Sequence, residues 1–142
     1  MQLYTPASYP NTKNPGEEVL AAWVERFNAR ALDELCSLYS DQAVLWGTYA
    51  TELITEPSGI RRYFASAFGQ GLVVSLVPAQ LHTQSFSSFY VCSGAYVVAN
   101  GLLPGAAESP ARFTVVVGSE RDSWRILNHH SSLNPAALSS GA

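Results

Sequence analysis

The sequence predicts an α+β fold: a curved antiparallel sheet forming a cone, with about three helices on its concave face. Helical periodicity is confined to the first half of the chain, the second half carries runs rich in Val, Phe and Tyr, and short turn-forming stretches separate those runs. Helices followed by strands with hairpin-length connections are the order expected of an α+β domain. A long sheet covered by only three helices has to curl, and its concave face becomes a pocket that the helices close.

Asn14, Pro15 and Glu17 stand in the order of N-cap, first-turn proline and third-position acid, so a helix begins there. Val19, Leu20, Trp23, Val24 and Phe27 form its apolar stripe, with Glu18, Glu25 and Arg26 on other faces. After a break over 28–31, Leu32, Leu35, Leu38 and Tyr39 continue a helical period and predict a second, short helix ended by Asp41 and Gln42. Residues 43–47 read as a short strand and 48–55 as an irregular connection or edge strand. Pro57 opens a third helix through Phe68, with Ile60, Tyr63, Phe64 and Ala67 on one face and Gly69 and Gly71 to stop it. Strands are expected over 72–81, 86–99, 111–119 and 123–132, the last two joined by a hairpin at 120–123.

A length of 142 residues fits one domain. Pro6, Pro10 and Pro15 make 1–15 an extended arm, 16–135 form the domain, and the small, polar residues of 136–142 form a flexible tail. With 8 basic and 11 acidic residues, net charge −3 and no cluster of Lys or Arg, nucleic acid and anionic membranes are excluded as partners. No apolar run approaches the ~18 residues a membrane span needs. Without a signal-peptide pattern at the start, the expected location is cytoplasmic. Cys36 and Cys92 have no CxxC or zinc-site spacing and read as small buried hydrophobes of a reducing compartment. Charged residues are only 13% of the chain, against ~25% usually. A weakly charged surface with Phe89, Val91 and Val97 on the outer sheet face predicts a homodimer.

The last strand carries the most chemistry, with Trp124, Ile126, Asn128, His130 and Ser132 in one phase and Arg125, Leu127, His129 and Ser131 in the other. Trp124 and Ile126 belong in the core, which directs His130 and Ser132 toward the concave side and makes His130 the candidate general base. A histidine pair can equally be one hydrogen-bonded core residue and one surface residue. Adjacent strand residues face opposite ways and cannot share an ion, and His82 is the only other histidine, so no metal site is expected. No Gly-x-Ser-x-Gly elbow supports a nucleophilic serine. Tyr63, on the apolar face of the third helix, Tyr96, in phase with Cys92 and Gly94, and Thr48, after the first strand, are further pocket candidates. Asn128, Tyr96, Arg112 and Trp46 are the candidate ligand-binding residues. Arg112 would anchor an anion inside the sheet or serve as an edge or interface arginine.

The terminal Trp124-x-Ile126 strand with His129-His130-Ser131-Ser132-x-x-Pro135, together with Thr48 and Pro57-x-x-Ile60-Arg61-x-Tyr63-Phe64, resembles the NTF2-like (cystatin-like cone) superfamily. The resemblance is greatest to the group containing kinase association-domain-like proteins and iota-class carbonic anhydrases, and covers about 17–135. It implies an NTF2-like fold and a polar pocket of Thr48, Tyr63, His130 and Ser132 acting on carbon dioxide and bicarbonate, with no cofactor and, from the ligand count above, no metal. Asn134, Glu56, Gly59 and Asn128 depart from the group's pattern, Asn128 within the expected pocket itself. The alternative is a non-catalytic ligand-binding or oligomerisation module, since this fold carries many functions.

Overall fold

The computed structural model describes residues 14–102 and 107–136; most of the expected arm and tail lie outside them. The Asn14 side chain accepts a hydrogen bond from the Glu17 backbone N–H at 2.8 Å and caps helix α1 (Pro15–Asn28), which buries Val19, Leu20, Trp23 and Phe27. Helix α2 (Leu32–Cys36) is shorter than expected, and Tyr39 opens strand β1 (Tyr39–Trp46) instead of continuing the helix. Leu35, Leu38 and Tyr39 are all buried, and their i, i+3, i+4 spacing suits a helix as well as a helix followed by a strand. Helix α3 (Pro57–Gly69) buries Ile60, Phe64 and Ala67, and the Glu56 side chain makes no cap bond.

The stretch expected as one strand over 72–81 divides into β2 (Leu72–Leu76) and a 3-10 turn at Pro78–Gln80, followed by β3 (His82–Ser85). Pro78 has no N–H for a ladder, so the pairing breaks there. Both pieces pair with the long strand β4 (Phe89–Asn100), which is followed by β5 (Ser109–Glu120) and β6 (Ser123–Leu133). The β5–β6 turn holds Arg121 and Asp122 at φ 53° and 64°, the left-handed pair that matches a two-residue hairpin to strand twist.

The sheet runs β1-β6-β5-β4-β2, with β3 also on β4. It is curved, unclosed and mixed rather than wholly antiparallel, because β1 lies parallel to β6. The long intervening chain imposes no hairpin, leaving the direction of that edge strand free. α1 packs across β2, β4, β5 and β6, and α3 against β1 and β2. Between helices and sheet sits an aromatic core in which Trp23 stacks on Phe27 and Tyr96.

One irregularity decides the site. Val117 pairs with Ile126 but Val116 pairs with Asn128, so Leu127 is an extra residue in β6. Such a bulge reverses the inside-outside alternation beyond it. Ile126 is buried, yet downstream it is His129 and Ser131 that are buried, at 3% and 6% exposure, while Asn128 and His130 are exposed. The alternation counted from Trp124 and Ile126 therefore assigned Asn128, His130 and Ser132 to the wrong face. A Cβ on Gly118 would come within 2.6 Å of Leu127 Cδ1, so the glycine makes room for the side chain at the bulge.

Candidate functional site

A cavity of about 30 Å³ lies between α1, α3 and the concave face of the sheet. Its polar lining comes from Thr48, Tyr49, Tyr63, Tyr96, His129 and Ser131, and most of the remainder is apolar, including Phe27, Leu45 and Val98. One water centre needs on the order of 10–15 Å³, so the space suits two waters or a ligand of a few heavy atoms. No Asp, Glu, Lys or Arg is among the described residues that line it.

Each polar group is placed by its element. His129 and Ser131 are two residues apart on β6 beyond the bulge, and Leu45 of β1 pairs with His129. Thr48 follows the end of β1, and its hydroxyl lies 2.6 Å from that of Ser131. Tyr96 comes from β4 and stacks on Phe113. Burial pushes its phenol up to about 12, against the opposing effect of hydrogen bonds with Ser131 and Thr48. Tyr63 comes from the half-buried edge of α3, and its ring lies so close over Gly47 that a Cβ there would sit 2.2 Å from it. Burial raises the Tyr63 pKa, and a bond from the Tyr49 backbone N–H, at 3.4 Å, partly offsets this.

Behind His129 stand two further buried groups. The Trp23 indole N–H donates to Tyr39 Oη at 2.9 Å, and Tyr39 Oη lies 2.8 Å from His129 Nδ1. His129 Nε2 is buried and has no hydrogen-bond partner among the described residues. A buried polar atom without a partner is costly, so an occupant able to bond to it is favoured. Desolvation, then the nearby His130, lowers the His129 pKa to about 4, and the ring is neutral at pH 7.

Thr48, Tyr63 and Tyr96 thus lie in the cavity wall, while His130 and Ser132 do not. They lie with Arg112 along a separate, open groove of about 630 Å³ on the outer face. Arg112 donates from Nε to Ser132 Oγ at 3.1 Å and is exposed, so it is not an anion anchor inside the fold. Trp46 is 39% exposed beside His130, and Asn128 is exposed outside the cavity. Sequence reasoning missed His129, Ser131 and the Trp23–Tyr39 pair. A signal for the first two existed: Leu133 shares their phase while Ile126 does not, and both ends of the strand are apolar.

The cavity offers one imidazole and several hydroxyls, short of the three protein ligands of a catalytic zinc site. Among the described residues, no three His, Cys, Asp or Glu side chains are grouped to hold a metal ion. The donor set does not fit a metal.

Solved structures share this architecture. A Xanthomonas campestris protein named for the calcium/calmodulin-dependent protein kinase II association domain superposes with TM-score 0.76 at 22% identity, covering 94% of each chain. A cystatin-like-fold protein from Nostoc punctiforme gives TM-score 0.73 at 12% identity, covering 96% of this chain and 97% of that one. A candidate dehydratase of the NTF2-like family from Streptomyces avermitilis gives 0.74 at 13%, covering 84% and 94% respectively. At these identities the likeness is one of fold. No curated protein matches the chain in sequence. The SnoaL-like domain model matches residues 17–137, from the first turn of α1 to just past β6, and the chain belongs to that NTF2-like family.

Proposed function

We propose that the cavity binds carbon dioxide and bicarbonate and interconverts them without a metal ion. The observation that carries this reading is the buried, unpartnered Nε2 of His129 at the wall of a cavity of about 30 Å³. The size favours a ligand of three or four heavy atoms. With no carboxylate among the described lining residues, proton abstraction from a carbon acid, as a dehydratase or isomerase would need, has no good base. The family resemblance in the His-His-Ser-Ser segment supports the same substrate, with His129 and Ser131 in the places first given to His130 and Ser132.

In the hydration direction, a water held by the Thr48 and Ser131 hydroxyls attacks the carbon. One C=O electron pair moves to the oxygen facing His129, and bicarbonate forms. The water's proton leaves through the hydroxyl pair toward solvent at half-buried Thr48. Catalysis of this kind rests on positioning and on fixed dipoles in a dry site.

The test is stopped-flow carbon dioxide hydration by EDTA-treated protein. Activity above the buffer rate that falls at least about 100-fold in Thr48→Val, the size of losing one key polar contact, supports the reading. No activity in the wild type points instead to the non-catalytic binding module, which the apolar remainder of the cavity would suit.

A further inference from the structure

The three buried rings Trp23, Tyr39 and His129 form a hydrogen-bonded line with a direction. An indole N–H can only donate, so Tyr39 Oη accepts from Trp23. The phenol has one proton of its own, and His129 Nδ1 at 2.8 Å is the acceptor it meets among the described residues. Nδ1 is then without a proton, and the single proton of a neutral imidazole sits on Nε2.

We propose that the Trp23–Tyr39 relay locks His129 in the Nε2–H tautomer, making it a hydrogen-bond donor to the cavity and selecting occupants that present an acceptor oxygen, a carbonyl or an oxyanion. In this state His129 is not the base of any reaction in the cavity, and Tyr39 is a positioning residue for it.

The other states are disfavoured by the same geometry. If Nδ1 carried the proton and donated to Tyr39 Oη, that oxygen would accept twice and the phenol proton would be left buried without an acceptor. If both nitrogens carried protons, the cation would be buried with no carboxylate among the described residues that line the cavity. The titratable groups that line the cavity with His129 are the phenols Tyr49, Tyr63 and Tyr96, and Tyr39 stands behind the ring; burial pushes Tyr39, Tyr63 and Tyr96 toward their neutral forms. His130, on the opposite face, adds only further resistance to a charge. Burial, then neighbouring His130, depresses the His129 pKa to about 4, so the neutral ring prevails across physiological pH.

The relay rests on the proposed function only for which oxygen acceptor occupies the cavity. Its test is imidazole 15N NMR, with two-bond proton correlations assigning which nitrogen of His129 bears the proton. Between pH 5 and 8 the wild type is expected to show a protonated Nε2 and a bare Nδ1. Tyr39→Phe keeps the ring and drops the phenol, and the Nδ1–H form should then appear at a population comparable to the other. Trp23→Phe, which frees the phenol to reverse, should also mix the tautomers and serves if Tyr39→Phe does not fold. A wild-type proton on Nδ1 or on both nitrogens would overturn the proposal, as would an unchanged pattern in the folded variants. Added bicarbonate should move the Nε2–H proton signal of the wild type. With that signal unmoved, the bicarbonate reading fails while the tautomer assignment stands, so the two failures are distinguishable.

Discussion

Burial strips His129 of water with no counter-ion beside it among the described residues, and its pKa falls from 6.5 to about 4. In the unfolded chain the ring titrates at its ordinary value, so between these two pH values the unfolded state binds the extra proton. Stability therefore is fully present above pH 6.5 and is lost as pH falls toward 4, on the order of 3 kcal/mol for a shift of this size. Urea unfolding of wild type beside His129→Gln measures it: the slope over this window should flatten in the variant. The same shift predicts a hydration rate with no step near pH 6.5, whereas an unperturbed histidine base would give one. A clear step there would contradict the His129 assignment. At this scale the sequence named Thr48, Tyr63 and Tyr96, which lie in the cavity wall. It misplaced His130 and Ser132 because each phase of β6 beyond Leu127 holds one His and one Ser, which leaves Leu133 as the cue to the inward phase against the opposite cue from Trp124 and Ile126 before the bulge.

The bulge in β6 is the element that turns one histidine in and its neighbour out. Gly118 accommodates Leu127, so Gly118→Val should crowd the bulge and destabilise the fold by about 1–3 kcal/mol, the usual cost of overpacking. Chemical denaturation measures it, and a loss of under about 0.5 kcal/mol, the range of neutral surface changes, would mean the bulge does not need the glycine. Much of the helical half was legible, since Asn14, Pro15 and Glu17 form a local cap whose geometry needs no distant partner. Tyr39 was not: whether it extends α2 or opens β1 is decided by pairing with Ile126, far away in the chain. The parallel direction of β1 is equally non-local.

Across the whole molecule, the helices close one face of the sheet and leave the other open. Phe89, Val91 and Val97 are half-buried on that open face, and we propose self-association through it. Light scattering should give twice the mass of one chain, and a monomeric mass at micromolar concentration would refute it. The fold class was legible because the order of helices and strands survives errors in individual elements. The site was less so, because it depends on one inserted residue whose effect appears only when two strands are laid side by side.

Because His129 points inward and His130 outward, His129→Ala and His130→Ala, each with its fold confirmed, separate the two histidines in the same carbon dioxide hydration assay. His129→Ala is expected to lose at least about 100-fold of the wild-type rate, the size of losing a key polar contact, while His130→Ala stays within about twofold. The reverse ranking would contradict the assignment of the site to His129.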